Sequence, residues 1–169
     1  TVQNSLKMTR FYRQLYQSPL GPLSVVVDEE SLVGIWFCDQ ANCEQGLEHI
    51  EEACQPLHGA VFEWLDRYFM GENPSMPFPL SPQGTDFQQR VWTYLAQIPY
   101  GESRTYGEIA RALSCRSAQA IGQAVGRNPL LLLLPCHRVL GRENQLTGYA
   151  AGLDRKRWLL HHEAISWKE

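Results

Sequence analysis

The chain has 169 residues, 44% of them hydrophobic and five of them tryptophan, a composition that supports a folded core and excludes a disordered or fibrous protein. No stretch has the length of a membrane helix, and Lys7, Arg10 and Arg13 are not followed by the apolar run of a signal peptide, so a cytoplasmic protein without a membrane partner is expected. The net charge of −3 conceals an asymmetry: residues 1–80 hold 4 Lys+Arg against 11 Asp+Glu (−7), and residues 81–169 hold 11 against 7 (+4), which is either a basic half able to meet a polyanion or two ordinary solvated surfaces of different sign.

The first half opens with strand-like runs at residues 11–16, 23–27 and 32–37, joined by Pro19-Leu20-Gly21-Pro22 and Asp28-Glu29-Glu30-Ser31. They predict a small antiparallel sheet. Apolar spacing then predicts two helices, one over about 43–54 with Leu47 and Ile50 on one side, the other over about 59–70 with Phe62, Leu65 and Phe69. Five cysteines (Cys38, Cys43, Cys54, Cys115, Cys136) at wide spacing give neither a disulfide framework nor a paired zinc pattern. Cys38, Cys43, His49 and His58 could be assembled into a metal site on paper, but their spacing is not diagnostic. Reduced thiols, no metal and no cofactor are the simpler expectation. Between Gly71 and Pro82 four prolines predict an extended crossing segment, and the domain boundary is placed there: residues 1–80 as support, residues 81–169 as the working part.

In the second half Thr85 and Gln88 form a capping box, followed by the apolar stripe Phe87, Val91, Trp92, Leu95 and Ile98. Pro99-Tyr100-Gly101 ends that helix. Thr105 and Glu108 open a second one through about Leu113, and Ser117 caps a third over residues 118–127. Two short helices across Ser114-Cys115-Arg116 make a helix-turn-helix candidate. The third helix is almost bare, with Ala118, Ala120, Gly122, Ala124 and Gly126. Interior glycine costs about 1 kcal/mol relative to alanine, so close approach of the backbone to another helix or to a nucleic-acid groove must repay it.

Asn128-Pro129 and the five leucines 130–134 predict a buried strand, with Pro135 at its end. Cys136 follows, beside His137 and the cation Arg138. A neighbouring base or positive charge lowers a thiol's pKa and makes the nucleophilic thiolate, whereas a cysteine after an apolar run is also a common inert core residue. After an extended piece at 138–140 and a turn at 141–145, Asp154 is expected to cap a last helix running to Glu163. A carboxylate at that end faces the negative pole of the helix; it is either an exposed residue of no consequence or is held by a cationic or donating partner, for which His137 is suited.

Pro135-Cys136-His137-Arg138-Val139 after Asn128-Pro129 and an apolar run resembles the active-site signature of the O6-alkylguanine-DNA alkyltransferases. Gly148-Tyr149, Leu159-Leu160-His161-His162-Glu163, Thr85–Trp92 and Thr105-Tyr106-Gly107 stand where that family's pattern expects them, and Gly21-Pro22-Leu23 is compatible with its N-terminal domain. The resemblance implies an α/β (α+β) fold: a small N-terminal antiparallel sheet with helices, then a mainly helical C-terminal domain with a winged-helix-like helix-turn-helix. It implies single-turnover transfer of an alkyl group from O6-methylguanine in double-stranded DNA, by a monomer that flips the base from the minor groove, and it leaves open whether O4-methylthymine is also a substrate.

Residue by residue, the resemblance implies that Cys136 accepts the alkyl group, His137 takes its proton through a water, and Glu163 orients the imidazole. Tyr106 would donate to the flipped guanine and Tyr149 would line the pocket. The N–H of Ala150 would bond O6, the carbonyls of Cys136 and Val139 would accept from the exocyclic amine, and Asn128 would brace the turn before the cysteine. The DNA-binding set would be Arg116, Ala118, Gln119, Ala120 and Gly122 on or before the recognition helix. Two positions depart from the pattern: Gln119 stands where most members carry an arginine that fills the vacated stack, and Ala150 replaces a common serine. A non-catalytic lesion-binding protein of the same fold and a cysteine hydrolase unrelated to DNA are the alternatives. The cysteine itself argues against the first, and the adjacency of Cys136 and His137 argues against the second.

Overall fold

The computed structural model describes residues 9–169; Lys7, used above in reading the N-terminus, lies outside them. Strands β1 (Phe11–Ser18), β2 (Gly21–Val27) and β3 (Leu32–Phe37) form the expected antiparallel meander. Gly21 takes φ +118° at the first turn, where Ser18 Oγ donates to the Gly21 carbonyl.

The expected helix over 43–54 is a correction. The backbone turns through positive φ at Glu44, Gly46 and His49, and residues 50–52 form β4 (Ile50–Glu52), parallel to β1. The sheet is therefore mixed, in the order β3-β2-β1-β4. The reason lies in long-range partners: Arg13 on β1 draws Glu44 and Glu52 onto the sheet, and Ser24 donates to Glu44. Cys43, Leu47 and Ile50 then cover Val26, Val33 and Trp36, so the apolar spacing serves an irregular flap over the sheet's outer face. The inner face packs on α1 (Pro56–Phe69), which starts on a proline and a reciprocal Gln55/His58 capping box.

The proline-rich segment runs extended along β3, where Leu32 N–H donates to the Pro79 carbonyl at 2.9 Å and Ser81 N–H to Leu32 at 2.8 Å. Helix α2 (Asp86–Leu95) has the predicted Thr85/Gln88 box, and α3 (Tyr106–Ala112) the Thr105/Glu108 box. α4 (Ala118–Gly126) is capped by Ser117. Trp92 locks α2 to α4 by donating to the Ala124 carbonyl at 2.9 Å. Two short parallel strands, β5 (Arg104–Thr105) and β6 (Val139–Leu140), flank the recognition pair. α5 (Leu153–His162) begins at Gly152, φ +98°, without a side-chain cap, so Asp154 lies inside its first turn rather than capping it.

The leucine run is the second correction. All five leucines are buried, yet only Leu130 bridges to a strand, pairing with Ile35 of β3. Residues 131–134 form a turn closed by Leu134 N–H to the Leu130 carbonyl, with Leu132 at φ +75°. Asn128 makes this possible: its side-chain amide donates to the Leu134 carbonyl at 2.6 Å and its oxygen accepts from Leu130 N–H at 2.9 Å. An apolar run signals burial; whether it extends or folds back depends on who satisfies its backbone. One hydrophobic cluster joins the two halves, from Leu23, Val61 and Leu65 to Val91, Leu95, Ile121 and Leu159, and Cys136 belongs to it. Among the described residues no helix is long and apolar enough to cross a membrane.

Candidate active site

The turn that Asn128 braces ends at Pro135 and passes into a 3-10 turn, Cys136–Arg138, placing three successive functional side chains in the interior. Cys136 is 4% exposed and His137 fully buried. Around them stand α3, α4 and the loop before α5. A cavity of about 170 Å³ opens between these elements, lined by Tyr106, Gly122, Val125, Gly126, Cys136, Gly148, Tyr149 and Ala150. That is below the range for drug-sized ligands and suits one small heterocycle. The bare face of α4 supplies its wall, since larger side chains at Gly122 and Gly126 would enter this space. A larger recess of about 370 Å³, lined by Asp28, Glu29 and Glu30 against the single cation Arg10, carries no cysteine or histidine and is net acidic, which disfavours a polyanion.

Behind the sulfur, Glu163 is the hub. It caps the C-terminal end of α5, and its unfavourable position there is offset by four donors. Oε2 accepts from His137 Nε2 at 2.5 Å and from the Tyr68 hydroxyl at 2.6 Å; Oε1 accepts from Arg138 Nε at 2.7 Å and from Gly101 N–H at 3.2 Å. Burial alone would raise this carboxyl's pKa, but His137 and Arg138 outweigh it and hold the group well below the usual carboxylate range. Ionised Glu163 can only accept, so His137 carries its proton on Nε2. His137 Nδ1 then presents a lone pair, and it makes no hydrogen bond among the described residues. Burial keeps the imidazole below its ordinary pKa against the pull of Glu163, so it is neutral at pH 7 and fit to be a base.

The thiol departs from the sequence expectation. Arg138 does not lower its pKa: the guanidinium turns away, to Glu163, to the Ile98 carbonyl at 2.7 Å and over the Tyr100 ring. Burial pushes the Cys136 thiol up to about 11, opposed by Asn128 and by the ammonium of Lys156. The resting sulfur is thus a protonated, protected thiol, and the cation that faces it is Lys156. That lysine is fully buried, and burial pulls its pKa down to about 8. Its Nζ donates to the Thr147 carbonyl at 3.1 Å and to the Gly148 carbonyl at 3.3 Å, fixing the loop that presents Tyr149 and Ala150.

Of the residues singled out in the sequence, Cys136, His137 and Glu163 converge on one array, and Tyr106, Gly122, Tyr149 and Ala150 line the cavity above it. Asn128 and Val139 lie behind the wall, Asn128 in the brace and Val139 in β6 paired with Arg104. Arg116, Ala118 and Gln119 are exposed and Ala120 half-buried, on the outer side of α4. Tyr68, Gly101 and Lys156 were not foreseen. Tyr68 and Glu163 are 95 residues apart, with no local signal joining them. Lys156 lies on α5 as an ordinary helix-face lysine until the loop folds over it. Cys38, Cys43, His49 and His58 are not brought together: among the described residues no group of three or more His, Cys, Asp or Glu could hold an ion, and His58 caps α1 and bonds the Val25 carbonyl.

A buried cysteine, a neutral imidazole and an ionised glutamate beneath a small cavity, roofed by the second helix of a helix-turn-helix, define a cysteine-nucleophile protein with a nucleic-acid-binding fold. The family model of the 6-O-methylguanine DNA methyltransferase DNA-binding domain matches residues 86–165, and that of the 6-O-methylguanine DNA methyltransferase ribonuclease-like domain matches residues 11–82. The chain is 41% identical over 158 residues to the methylated-DNA–protein-cysteine methyltransferase of Methanosarcina acetivorans, covering 90% of this chain and 97% of that one. It is 39% identical over 162 residues to the constitutive one of Bacillus subtilis, covering 94% and 98%. The crystal structure of Mycobacterium tuberculosis OGT in complex with DNA superposes with TM-score 0.80 at 38% identity, over 91% of this chain and 92% of that one. The chain belongs to the 6-O-methylguanine DNA methyltransferase family.

Proposed function

We propose that the protein repairs DNA by moving the methyl group of O6-methylguanine irreversibly onto Cys136, once per molecule. The observation that carries this reading is the Cys136–His137–Glu163 array at the floor of a nucleobase-sized cavity. Its partner is double-stranded DNA bearing alkylated bases, met by a monomer working in the cytoplasm. Residues 81–169 meet the DNA and accept the alkyl group, while residues 1–80 support them.

An aryl methyl ether is a weak electrophile, so the sulfur must attack as a thiolate and the base must be stabilised as it departs. His137 Nδ1 takes the thiol proton through a bridging water, and Glu163, already ionised, stabilises the imidazolium that results. Sulfur forms its bond to the methyl carbon while the carbon–oxygen bond breaks and its electron pair leaves with guanine. The proton that guanine then takes comes from the Tyr106 hydroxyl, which recovers one from the His137 imidazolium through water so that both groups end neutral, with the Ala150 N–H on O6 and the Cys136 carbonyl holding the amine. A thioether does not return the methyl group, which makes the reaction single-turnover.

The target atom faces the inside of a duplex, so the base must be flipped out. Ala118, Ala120 and Gly122 let α4 approach the minor groove closely, and either the uncharged Gln119 or the nearby Arg116 fills the vacated stack. A high resting thiol pKa fits this chemistry, because the sulfur stays inert to adventitious electrophiles until a base sits over it.

The test is a mass measurement. Intact protein incubated with duplex DNA containing O6-methylguanine gains one methyl group, located on Cys136 and absent in Cys136→Ala. Binding to the lesion without a mass change would instead identify a non-catalytic lesion binder.

A further inference from the structure

Helix α1 belongs to the sheet half of the molecule, yet one of its side chains enters the array. The Tyr68 ring is 1% exposed, stacked on Trp64 at 5.5 Å and edge-on to Phe69 at 5.3 Å, and its hydroxyl donates to Glu163 Oε2 at 2.6 Å. That is the same oxygen that holds His137 at 2.5 Å. Two donors on one carboxylate oxygen share its electron density, so each tempers the bond of the other.

We propose that Tyr68 is a positioning residue of the transfer reaction: from the support half of the chain its hydroxyl sets both the orientation of Glu163 and the basicity of His137. This deepens the repair reading and rests on it. Tyr68 touches neither sulfur nor cavity and acts only through the carboxylate. Without it Oε2 of Glu163 has His137 as its one remaining donor, more of the carboxylate's charge falls on His137 Nε2, and the imidazolium is favoured at higher pH. The charged and titratable groups facing this pair are Arg138 and Cys136 from the 3-10 turn, Tyr100 from the turn after α2, Lys156 and His162 from α5, and Tyr149 from the cavity loop. None of these except Arg138 donates to Glu163, so none replaces the lost hydroxyl.

The test compares single-turnover methyl transfer to Cys136 as a function of pH in the wild type, in Tyr68→Phe and in Tyr16→Phe. The control is matched: Tyr16 also donates from its hydroxyl to a carboxylate on α1, Asp66 at 2.6 Å, but has no contact with Glu163. In Tyr68→Phe the acid limb of the rate profile moves toward neutral pH by half a unit or more, the plateau rate falls about threefold to tenfold, and DNA affinity is unchanged. In Tyr16→Phe the profile stays that of the wild type even if the melting temperature falls. Equal profiles for Tyr68→Phe and wild type overturn the proposal while leaving repair intact, and a wild type that transfers no methyl group overturns the repair reading itself. Should Tyr68→Phe fail to fold, the wild type decides. Its Tyr68 hydroxyl proton resonates as a slowly exchanging line that shifts as His137 titrates, and a hydroxyl resonance indifferent to His137 sinks the idea.

Discussion

At the residue scale the site is governed by burial against pairing. Cys136, His137, Glu163 and Lys156 are all removed from water, and each is pushed toward its neutral form by that removal. Glu163 has enough donors to stay charged, Lys156 keeps its ammonium at pH 7 with a pKa of about 8, and the charge of Glu163 fixes the His137 tautomer. A pH dependence of stability follows. The imidazoles of His137 and His58 are both held below the ordinary value by burial. The unfolded chain therefore takes up protons that the folded chain refuses once the pH drops below about 6.5. The melting temperature is expected to fall as pH is lowered through that value, with the proton that Glu163 takes up in the unfolded chain, and refuses in the folded one, adding to the fall below about 4.5. Calorimetry between pH 8 and pH 4 checks this; a melting temperature that rises on acidification contradicts it.

At the element scale α4 trades stability for access. Glycine at position 122 of this nine-residue helix weakens it, and a Cβ there would meet only Tyr106 Cε1 at 3.9 Å, an ordinary contact. Gly122→Ala should therefore raise stability by about 1 kcal/mol, or roughly 2–4 °C in melting temperature. The added methyl group enters the cavity wall, so transfer slows, and more for a benzyl than for a methyl lesion. Differential scanning fluorimetry with transfer assays on both lesions separates the two effects. The leucine turn shows the opposite trade. Leu132 at positive φ is strained, and the two buried hydrogen bonds of Asn128 hold it so that Cys136 faces the cavity.

At the scale of the whole molecule the halves are joined by more than the core. Arg155 on α5 donates to Asp39 at 2.7 Å and to the Leu20 carbonyl at 3.1 Å, lies over the Phe37 ring at 4.0 Å, and also reaches the Ala151 carbonyl at 3.3 Å. It thus clamps the cavity loop to the sheet. Arg155→Ala should cost about 1–3 kcal/mol, because the carbonyls it leaves are partly buried. It should also slow transfer more than it weakens DNA binding, as single-turnover rates and fluorescence anisotropy on one duplex will report. An acidic sheet half facing away and a basic half facing DNA would orient the encounter without any change in that clamp.

The sequence alone determined the meander, the capped helices α2, α3 and α4, the bare face of α4 and the adjacency of Cys136 and His137. Each is written in local spacing, in capping residues or in a motif read within a few positions. Tertiary structure decided the rest. Residues 43–54 became a flap and a strand because Arg13, far back in the chain, holds Glu44 and Glu52. The leucine run folded back because Asn128 satisfies its carbonyl and amide groups. Arg138 served the carboxylate rather than the sulfur, leaving that task to Lys156, and Tyr68 joined a partner 95 residues away. Such assignments depend on which polar groups are buried together, and burial is a property of the packed molecule that no local window of sequence contains.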